Sequence, residues 1–135
     1  MTDRETLLFA NEAFYRAFAD RDFAAMEAVW ASDGPIACIH PGWPPLSGRD
    51  AVVDSWRRIL ANDESPQVVC RQPTAYLHGD VAFVICFESV GSAALVATNI
   101  FRREGRQWRM IHHQAGPAPA MPQPDEDADP PPRPN

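Results

Sequence analysis

The 135-residue chain is long enough for one domain with a single core, and its 45% hydrophobic content is typical of globular proteins. Its formal net charge of -6, with no basic stripe along the chain, argues against nucleic acid as a partner. No apolar run approaches the roughly 20 residues that cross a bilayer, and the charged first five residues do not resemble a secretory signal. We therefore expect a cytoplasmic protein that is not bound to a membrane.

Three helices are predicted in the first half of the chain, each with an apolar stripe at three-to-four spacing. Thr2 and Glu5 form a capping-box pattern, and Asp22 and Ser47 are the predicted amino-terminal caps of the second and third helices. We expect the helices to end near residues 20, 31 and 62. The side chains predicted to face the core are Leu7, Leu8, Asn11, Phe14, Tyr15, Phe18, Phe23, Met26, Val29, Trp30, Val52, Trp56, Ile59 and Leu60.

After Gln67 the apolar pattern changes to the period of a strand, and a short earlier strand is predicted at residues 36–39. The later strands, joined by tight turns, are predicted over residues 67–77, 81–90, 94–103 and 106–115. Successive hairpins give an antiparallel meander. Residues 81–87 are apolar on both faces, which indicates helices on one face and a second subunit on the other. The predicted class is α+β, with three helices on a curved sheet of four to six antiparallel or mixed strands.

The composition changes after Ala115. Residues 116–135 hold eight of the 14 prolines and four acidic residues, and such a segment cannot bury enough apolar surface to offset its ordering entropy. We interpret residues 1–117 as the folded domain and residues 118–135 as a disordered, acidic, proline-rich tail. The alternative is a tail that engages a proline-recognition partner.

The sequence lacks the residue patterns that redox, metal-binding, phosphate-binding and serine-nucleophile sites need. Cys38, Cys70 and Cys86 are odd in number and lack CxxC spacing, so we predict buried free thiols. The sequence has no histidine pair at metal-ligand spacing, no glycine-rich phosphate loop and no GxSxG motif. We therefore predict neither a metal nor a cofactor.

The order of elements and several short motifs resemble the SnoaL-like branch of the nuclear transport factor 2-like superfamily over about residues 4–117. The motifs that carry the resemblance are the HPGW run at 40–43, the LSGRDAV run at 46–52, Ser55-Trp56, the HGDVA turn at 78–82, the TNIFRR run at 98–103 and the WRMIHH run at 108–113. The resemblance implies a conical α+β barrel with a pocket between the sheet and the helices, usually in a homodimer. The superfamily includes isomerases, polyketide cyclases, dehydratases and non-enzymatic association domains, and fold alone does not choose among them.

Two adjacent histidines near the end of the last strand, His112 and His113, point to opposite faces of the sheet. We assign His112 to the cavity, because Trp108 and Met110 share its face and large apolar residues usually mark the core. A single β-bulge would exchange the two histidines. A neutral imidazole can act as acid or base, so we predict His112 as a catalytic residue, together with His40 at the expected mouth of the cavity.

The predicted ligand-binding residues are aromatic and polar side chains expected around the pocket. Asn99 shares a strand face with Phe101 and must be hydrogen-bonded there, to a neighbouring side chain or to a ligand. Glu88 is the one acid of the meander outside its turns, and no inward pair of carboxylates is predicted, which argues against ketosteroid isomerase-like chemistry. The predicted ligand-binding set is Tyr15, Trp30, Trp43, Trp56, Asn99 and Phe101.

Two functions of different classes stay open. The first is a pocket that binds a small hydrophobic molecule. Whether the pocket also has isomerase, cyclase or dehydratase activity stays open. The second is a non-enzymatic homodimeric association module. The predicted partners are accordingly a small hydrophobic molecule and a second copy of the chain bound through the sheet, with no nucleic acid and no membrane.

Overall fold

Three helices pack on one face of a six-stranded mixed sheet in the computed structural model, which describes residues 1–122. The predicted α+β class is confirmed, and the sheet is not closed into a barrel. Its strand order is β2-β1-β6-β5-β4-β3, in which the β1–β6 pair is parallel and the other pairs are antiparallel. The elements are α1 (Asp3–Asp20), α2 (Phe23–Val29), β1 (Ala37–Ile39), β2 (Leu46–Ser47), α3 (Arg49–Ala61), β3 (Val69–His78), β4 (Val81–Val90), β5 (Ala93–Glu104) and β6 (Gln107–Pro117).

The predicted start of α1 is confirmed. The Thr2 hydroxyl accepts from the Glu5 amide at 3.1 Å, and the Glu5 carboxylate accepts from the Thr2 amide at 2.8 Å. The helix ends at Arg21, which adopts the left-handed conformation with φ 53°. From there its guanidinium donates to the carbonyl oxygens of Leu60, Asn62, Asp63 and Ser65. Arg21 thus ties the end of α1 to the chain that follows α3.

The predicted cap of α3 is wrong. Ser47 belongs to β2, where it pairs with Ala37, and Gly48 is the cap residue, without a side-chain hydrogen bond. Gly48 has φ 91°, and its amide donates to Ile36 O at 2.8 Å. The helix therefore begins at a glycine-dependent turn that is fixed by strand β1, and β2 is a strand that the pattern did not predict. By contrast, Asp22 caps α2 as expected.

The core lies between the helices and the inner face of the sheet. Its largest fully buried side chains include Phe14, Trp30, Trp56, Phe101 and Met110. The three cysteines are free, with Cys38 and Cys86 buried and Cys70 half-buried. Within residues 1–122, no helix is both long and apolar enough to cross a membrane. The cytoplasmic location stays a prediction.

The opposite face of the sheet, here called the outer face, is also apolar. Phe83, Ile85 and Phe87 of β4 are only half-buried there, and the strand register sets Ile100 and Val96 of β5 opposite Phe83 and Phe87. This confirms the prediction that β4 is apolar on both sides, because the alternate residues Ala82, Val84 and Cys86 are fully buried on the inner face.

The last strand of the sheet ends at Pro117. Pro117, the last residue of β6, pairs with Leu95, and the Ala118 amide donates to Ala94 O at 2.9 Å. Most of the predicted disordered tail, residues 123–135, lies outside the described residues. The division of the chain at residue 117 stays a prediction.

Candidate functional site

A cavity of about 470 Å³ opens between α3, the loop after β1 and one end of the sheet. Its walls are mostly apolar, with Phe18 and Ile59 from the helices and Val68, Val90 and Leu95 from the sheet side. Solvent-exposed residues surround the opening, here called the mouth, and these are Pro41, Trp43, Arg58, Asn62 and Pro66. Buried polar groups stand deeper in the same cavity, and they are His40, Glu88 and His113.

A β-bulge decides which histidine faces the cavity. Ile100 pairs with His112, but the next residue of β5, Phe101, pairs with Met110, so Ile111 is an extra residue on β6. A bulge reverses the alternation of side chains beyond it. His113 is therefore 2% exposed and lines the cavity, whereas His112 shares the outer face with Ile100 and donates from Nδ1 to Ala37 O at 3.0 Å. The prediction that His112 faces the cavity is wrong for this reason.

His113 is held in one tautomer by two asparagines. Asn99 Nδ2 donates to Asn11 Oδ1 at 2.8 Å, which leaves Asn99 Oδ1 to accept from His113 Nδ1 at 2.5 Å. Because Nδ1 carries the proton, Nε2 of the neutral ring presents a lone pair. Burial, with smaller contributions from the nearby His40 and His112, lowers the pKa of His113 to about 3, so the ring is a neutral base at physiological pH.

Glu88 is the carboxyl group of the site. It is 4% exposed, and Tyr15 donates its hydroxyl hydrogen to Glu88 Oε2 at 2.6 Å. Burial raises the pKa of Glu88, and the Tyr15 hydrogen bond opposes that shift. Burial also raises the pKa of Tyr15 well above its usual value, so its hydroxyl remains a donor. Glu88 Oε2 lies 4.0 Å from His113 Nε2, so a neutral base and a carboxyl group with a raised pKa face each other.

His40 lines the same cavity, but it is buried inside rather than at the predicted position at the mouth, and it is fixed by Ser55. The Ser55 hydroxyl donates to Val52 O at 2.6 Å, so it accepts from His40 Nε2 at 2.9 Å. The His40 ring makes edge contacts with Trp43 and Trp56, each with ring centroids 4.8 Å apart. Burial lowers the pKa of His40 to about 4, and this ring is neutral as well.

The other predicted site residues divide between the cavity and its supports. Trp43 and Trp56 line the cavity, Trp43 at the mouth and Trp56 inside. Trp30 and Phe101 do not line it, because both are fully buried core residues. Tyr15 and Asn99 do not line the cavity, but each forms a hydrogen bond with a residue that does. Tyr15 contacts Glu88, and Asn99 contacts His113.

Three polar residues of the site were not in the predicted set, namely His113, Glu88 and Ser55, although His113 was the stated alternative to His112. Glu88 carried a signal, since it continues the alternation of Val84 and Cys86 toward the core and is charged. Chemically, the arrangement suits proton transfer, because a fixed lone pair and a carboxyl group share one apolar enclosure. Among residues 1–122, no group of three or more His, Cys, Asp or Glu side chains is arranged to hold a metal ion.

Comparison with known proteins agrees with this architecture. Residues 8–121 match the model of the SnoaL-like domain. The chain belongs to the SnoaL-like domain family. No curated protein matches the sequence.

Two solved structures are similar to this SnoaL-like protein in both sequence and fold. One, from Streptomyces avermitilis, is described as a candidate dehydratase of the NTF2-like family; it is 36% identical, covers 87% of this chain and 97% of its own, and has a TM-score of 0.78. The other, from Thiobacillus denitrificans, is described as a candidate calcium/calmodulin-dependent protein kinase type II association domain. It is 37% identical over 81% of this chain and 92% of its own, with a TM-score of 0.68.

A third structure shares the fold alone. The CaMKII hub of S. rosetta is 15% identical over 87% of this chain and 98% of its own, with a TM-score of 0.71. The predicted relation to the SnoaL-like and NTF2-like proteins is therefore confirmed.

Proposed function

We propose that this SnoaL-like protein binds a small, mostly apolar molecule in the cavity and that His113 and Glu88 exchange protons with it. The observation that carries the proposal is the 4.0 Å separation of His113 Nε2 and Glu88 Oε2 between apolar walls. The cavity volume lies in the range of small-molecule sites, and its few polar groups converge at the inner end. The role predicted for His112 passes to His113.

The reaction class that suits this pair is a lyase or isomerase reaction. His113 Nε2 removes a proton from the carbon next to a carbonyl group, and Glu88 gives its proton to the oxygen that receives the electron pair. In a dehydration that oxygen is the leaving hydroxyl group, which departs as water. In an isomerisation it is the carbonyl oxygen, and the resulting enol is then converted when His113 returns its proton to a different carbon and Glu88 takes back the proton of the enol hydroxyl. The similarity to a candidate dehydratase supports the first alternative.

Deuterium exchange tests proton abstraction without knowledge of the natural substrate. The full-length protein is incubated in D₂O with a panel of neutral β-hydroxy ketones, and deuterium at the α-carbon is followed by NMR. We expect exchange above the buffer rate, lost in His113→Gln and retained in His112→Gln, the neighbouring residue on the opposite face. Equal exchange in His113→Gln and the wild-type protein, or no exchange above buffer with any compound, would contradict the proposal.

We propose a second function for the outer face, the pairing of two copies of the chain. Phe83, Ile85 and Phe87 form a contiguous apolar row there, and Tyr76 extends it by stacking on Phe83 with centroids 4.8 Å apart. Contiguous apolar patches of this kind mark interaction sites. The similarity to a candidate association domain supports a second copy as the occupant.

Sedimentation velocity tests the pairing. Ile85→Glu should convert a dimer to a monomer, because it sets a charge in the middle of the apolar row. Phe9→Glu is the matched control, since Phe9 is 66% exposed and belongs to α1, which packs on the opposite face of the sheet. A monomeric wild-type protein, or a dimer that survives Ile85→Glu, would refute pairing through this face.

A further inference from the structure

We propose that Cys70 and Cys86 form a redox-active thiol pair, in which a hydroperoxide oxidises Cys70 and Cys86 then closes a disulfide bond with it. The inference goes beyond the proposed function, because Cys70 opens into a second cavity and neither thiol lines the first. Three observations support it, and they concern the strand register, the hydrogen bonds around the two sulfur atoms and the access of solvent to Cys70.

The fold brings together two cysteines that are distant in sequence and lack CxxC spacing. Cys70 of β3 pairs with Glu88 of β4, and Cys86 precedes Glu88 by two residues, so all three side chains share the inner face of the sheet. Diagonal neighbours on one face are within side-chain reach. The register shifts opposite Cys86, where Gln72 has φ 52°, and β3 is an edge strand. One neighbouring strand and a bulge therefore hold this part of β3, which leaves it free to adjust as the disulfide closes.

One polar cluster holds both sulfur atoms. Asn11 Nδ2 donates to Cys70 Sγ at 3.8 Å, and the Tyr15 hydroxyl oxygen lies 3.2 Å from Cys86 Sγ. Asn99 Nδ2 donates to Asn11 Oδ1 at 2.8 Å and to the Tyr15 hydroxyl oxygen at 3.2 Å. Because a single nitrogen atom contacts both partners of the thiols, the two sulfur atoms lie in the same small enclosure.

Cys70 is the accessible member of the pair. It is half-buried and lines a cavity of about 460 Å³ between α1 and the start of β3, whereas Cys86 is fully buried. Exposed residues surround this second cavity, among them Glu12 and Pro73. A small neutral oxidant from solution can therefore reach Cys70 first, and Cys86 is available to react with the product.

The surroundings of Cys70 also favour its thiolate form. The hydrogen bond with Cys86 lowers the pKa of the Cys70 thiol, and burial opposes that shift. The same hydrogen bond, together with burial, raises the pKa of Cys86. Burial raises the pKa of Cys38 to about 12. Since the thiolate is the nucleophile, Cys70 is the cysteine that should react with an oxidant.

The reaction balances with the hydroperoxide as the oxidant. The Cys70 sulfur attacks the terminal oxygen of the hydroperoxide, the O–O bond breaks, and the departing oxygen takes the thiol proton. The peroxide is thereby reduced to an alcohol, and Cys70 becomes a sulfenic acid. The Cys86 sulfur then attacks the Cys70 sulfur, the S–O bond breaks, and the leaving hydroxide takes the proton of Cys86 to form water. A dithiol reductant restores both thiols.

Thiol counting by mass spectrometry tests the pair without any ligand for the first cavity, so its outcome is separate from that of the deuterium exchange. The reduced full-length protein is treated with an equimolar amount of hydrogen peroxide, unfolded in N-ethylmaleimide, and analysed both intact and after digestion. We expect the three free thiols to fall to one, with Cys38 labelled and a Cys70–Cys86 cross-link in the digest. Treatment with a dithiol should restore all three.

Serine variants assign the order of the two steps. In Cys86→Ser the sulfenic acid on Cys70 has no thiol to react with, so dimedone should label Cys70. In Cys70→Ser, Cys86 should remain a free thiol, because it is fully buried. Cys38→Ser is the matched control, since Cys38 is also buried but belongs to β1, which pairs with neither β3 nor β4. This variant should form the cross-link as the wild-type protein does.

Three results in the wild-type protein would overturn the inference, and none of them depends on whether a variant folds. The first is three free thiols after peroxide treatment, or an oxidised Cys70 beside a free Cys86. The second is oxidation of Cys38 as fast as that of Cys70, because the fold would then confer no selectivity. The third is a cross-link between two copies, seen as a covalent dimer whose yield rises with protein concentration.

Discussion

Glu88 and His113 face each other across 4.0 Å, too far for a direct hydrogen bond, and each is anchored from behind by a different residue. Tyr15 donates to Glu88, and Asn99 accepts from His113. The separation is therefore set by α1 and β5 rather than by the pair itself. A group of a bound molecule can stand between the two side chains and contact both.

The tautomer of His113 should depend on Asn99. Asn99→Leu removes the acceptor of the Nδ1 proton, so we expect this proton to be shared between Nδ1 and Nε2. It also leaves buried polar groups without partners, which should lower the free energy of unfolding by about 1–3 kcal/mol. Nitrogen-15 NMR of the imidazole rings measures the tautomer, with His112 as an internal control that should not change. An unchanged His113 spectrum would show that Asn99 does not set the tautomer.

Stability should fall in acid because His113 is neutral in the folded state. Its pKa is about 3 when folded against an ordinary value of 6.5, so the unfolded chain binds more protons between these values. The stabilisation is complete above pH 6.5 and is lost as the pH falls toward 3, at up to about 1.4 kcal/mol per pH unit. The free energy of unfolding, measured in urea at several pH values, should depend less steeply on pH in His113→Gln than in the wild-type protein. Parallel curves for the two proteins would argue against a buried neutral ring.

Glu88 should give the opposite dependence on pH. Burial raises its pKa above the usual 4.5, so the folded protein loses stability as the pH rises through the raised value. Glu88→Gln keeps an acceptor for the Tyr15 hydroxyl and removes the charge. We expect the Tm of this variant, relative to the wild-type protein, to be higher at pH 8 than at pH 4.5. A Tm difference that does not change with pH would mean that Glu88 is not desolvated.

Arg21 should stabilise one side of the cavity mouth, because it donates to four carbonyl oxygens in the segment that contains Asn62 and Ser65. Arg21→Met removes these donors, and we expect the free energy of unfolding to fall by about 1–3 kcal/mol and the amides of residues 60–65 to exchange faster. Arg16→Met is the control on the same helix, since Arg16 forms an exposed pair with Glu12 that contributes at most about 0.5 kcal/mol. Equal losses in the two variants would contradict this role.

Local patterns predicted most of the fold. The capping box at Thr2 and the hairpins of the meander are specified by residues adjacent in sequence, so the helices α1 and α2 and the strands β3 to β6 could be read from the chain. The two-residue strand β2 could not, because its pairing with β1 depends on a contact across the loop rather than on its own composition. The same pairing explains why Gly48, and not the predicted Ser47, is the cap residue of α3.

The site was less predictable, because it depends on one irregular pair of strands. Strict alternation from Trp108 and Met110 selects His112, and the extra residue Ile111 reverses that choice. The residues around Ile111, at positions 108–113, include neither glycine nor proline, so nothing in this part of the sequence indicates a bulge. Ser55 was likewise not predicted, because the role of an inward-facing serine on a helix depends on its hydrogen-bond partner. That partner, His40, is brought to it only by the fold.

Titration with the neutral fluorescent probe N-phenyl-1-naphthylamine tests the central claim, that the cavity admits an apolar molecule. Leu95 lines the cavity, so Leu95→Trp should fill part of it. The matched control is Val96→Trp, because Val96 is the next residue along β5 and lies on the outer face. Unfolding curves verify that both variants fold. We expect one probe per chain to bind the wild-type protein and Val96→Trp, and binding to be lost in Leu95→Trp. Probe binding that is equal in Leu95→Trp and the wild-type protein would contradict the account.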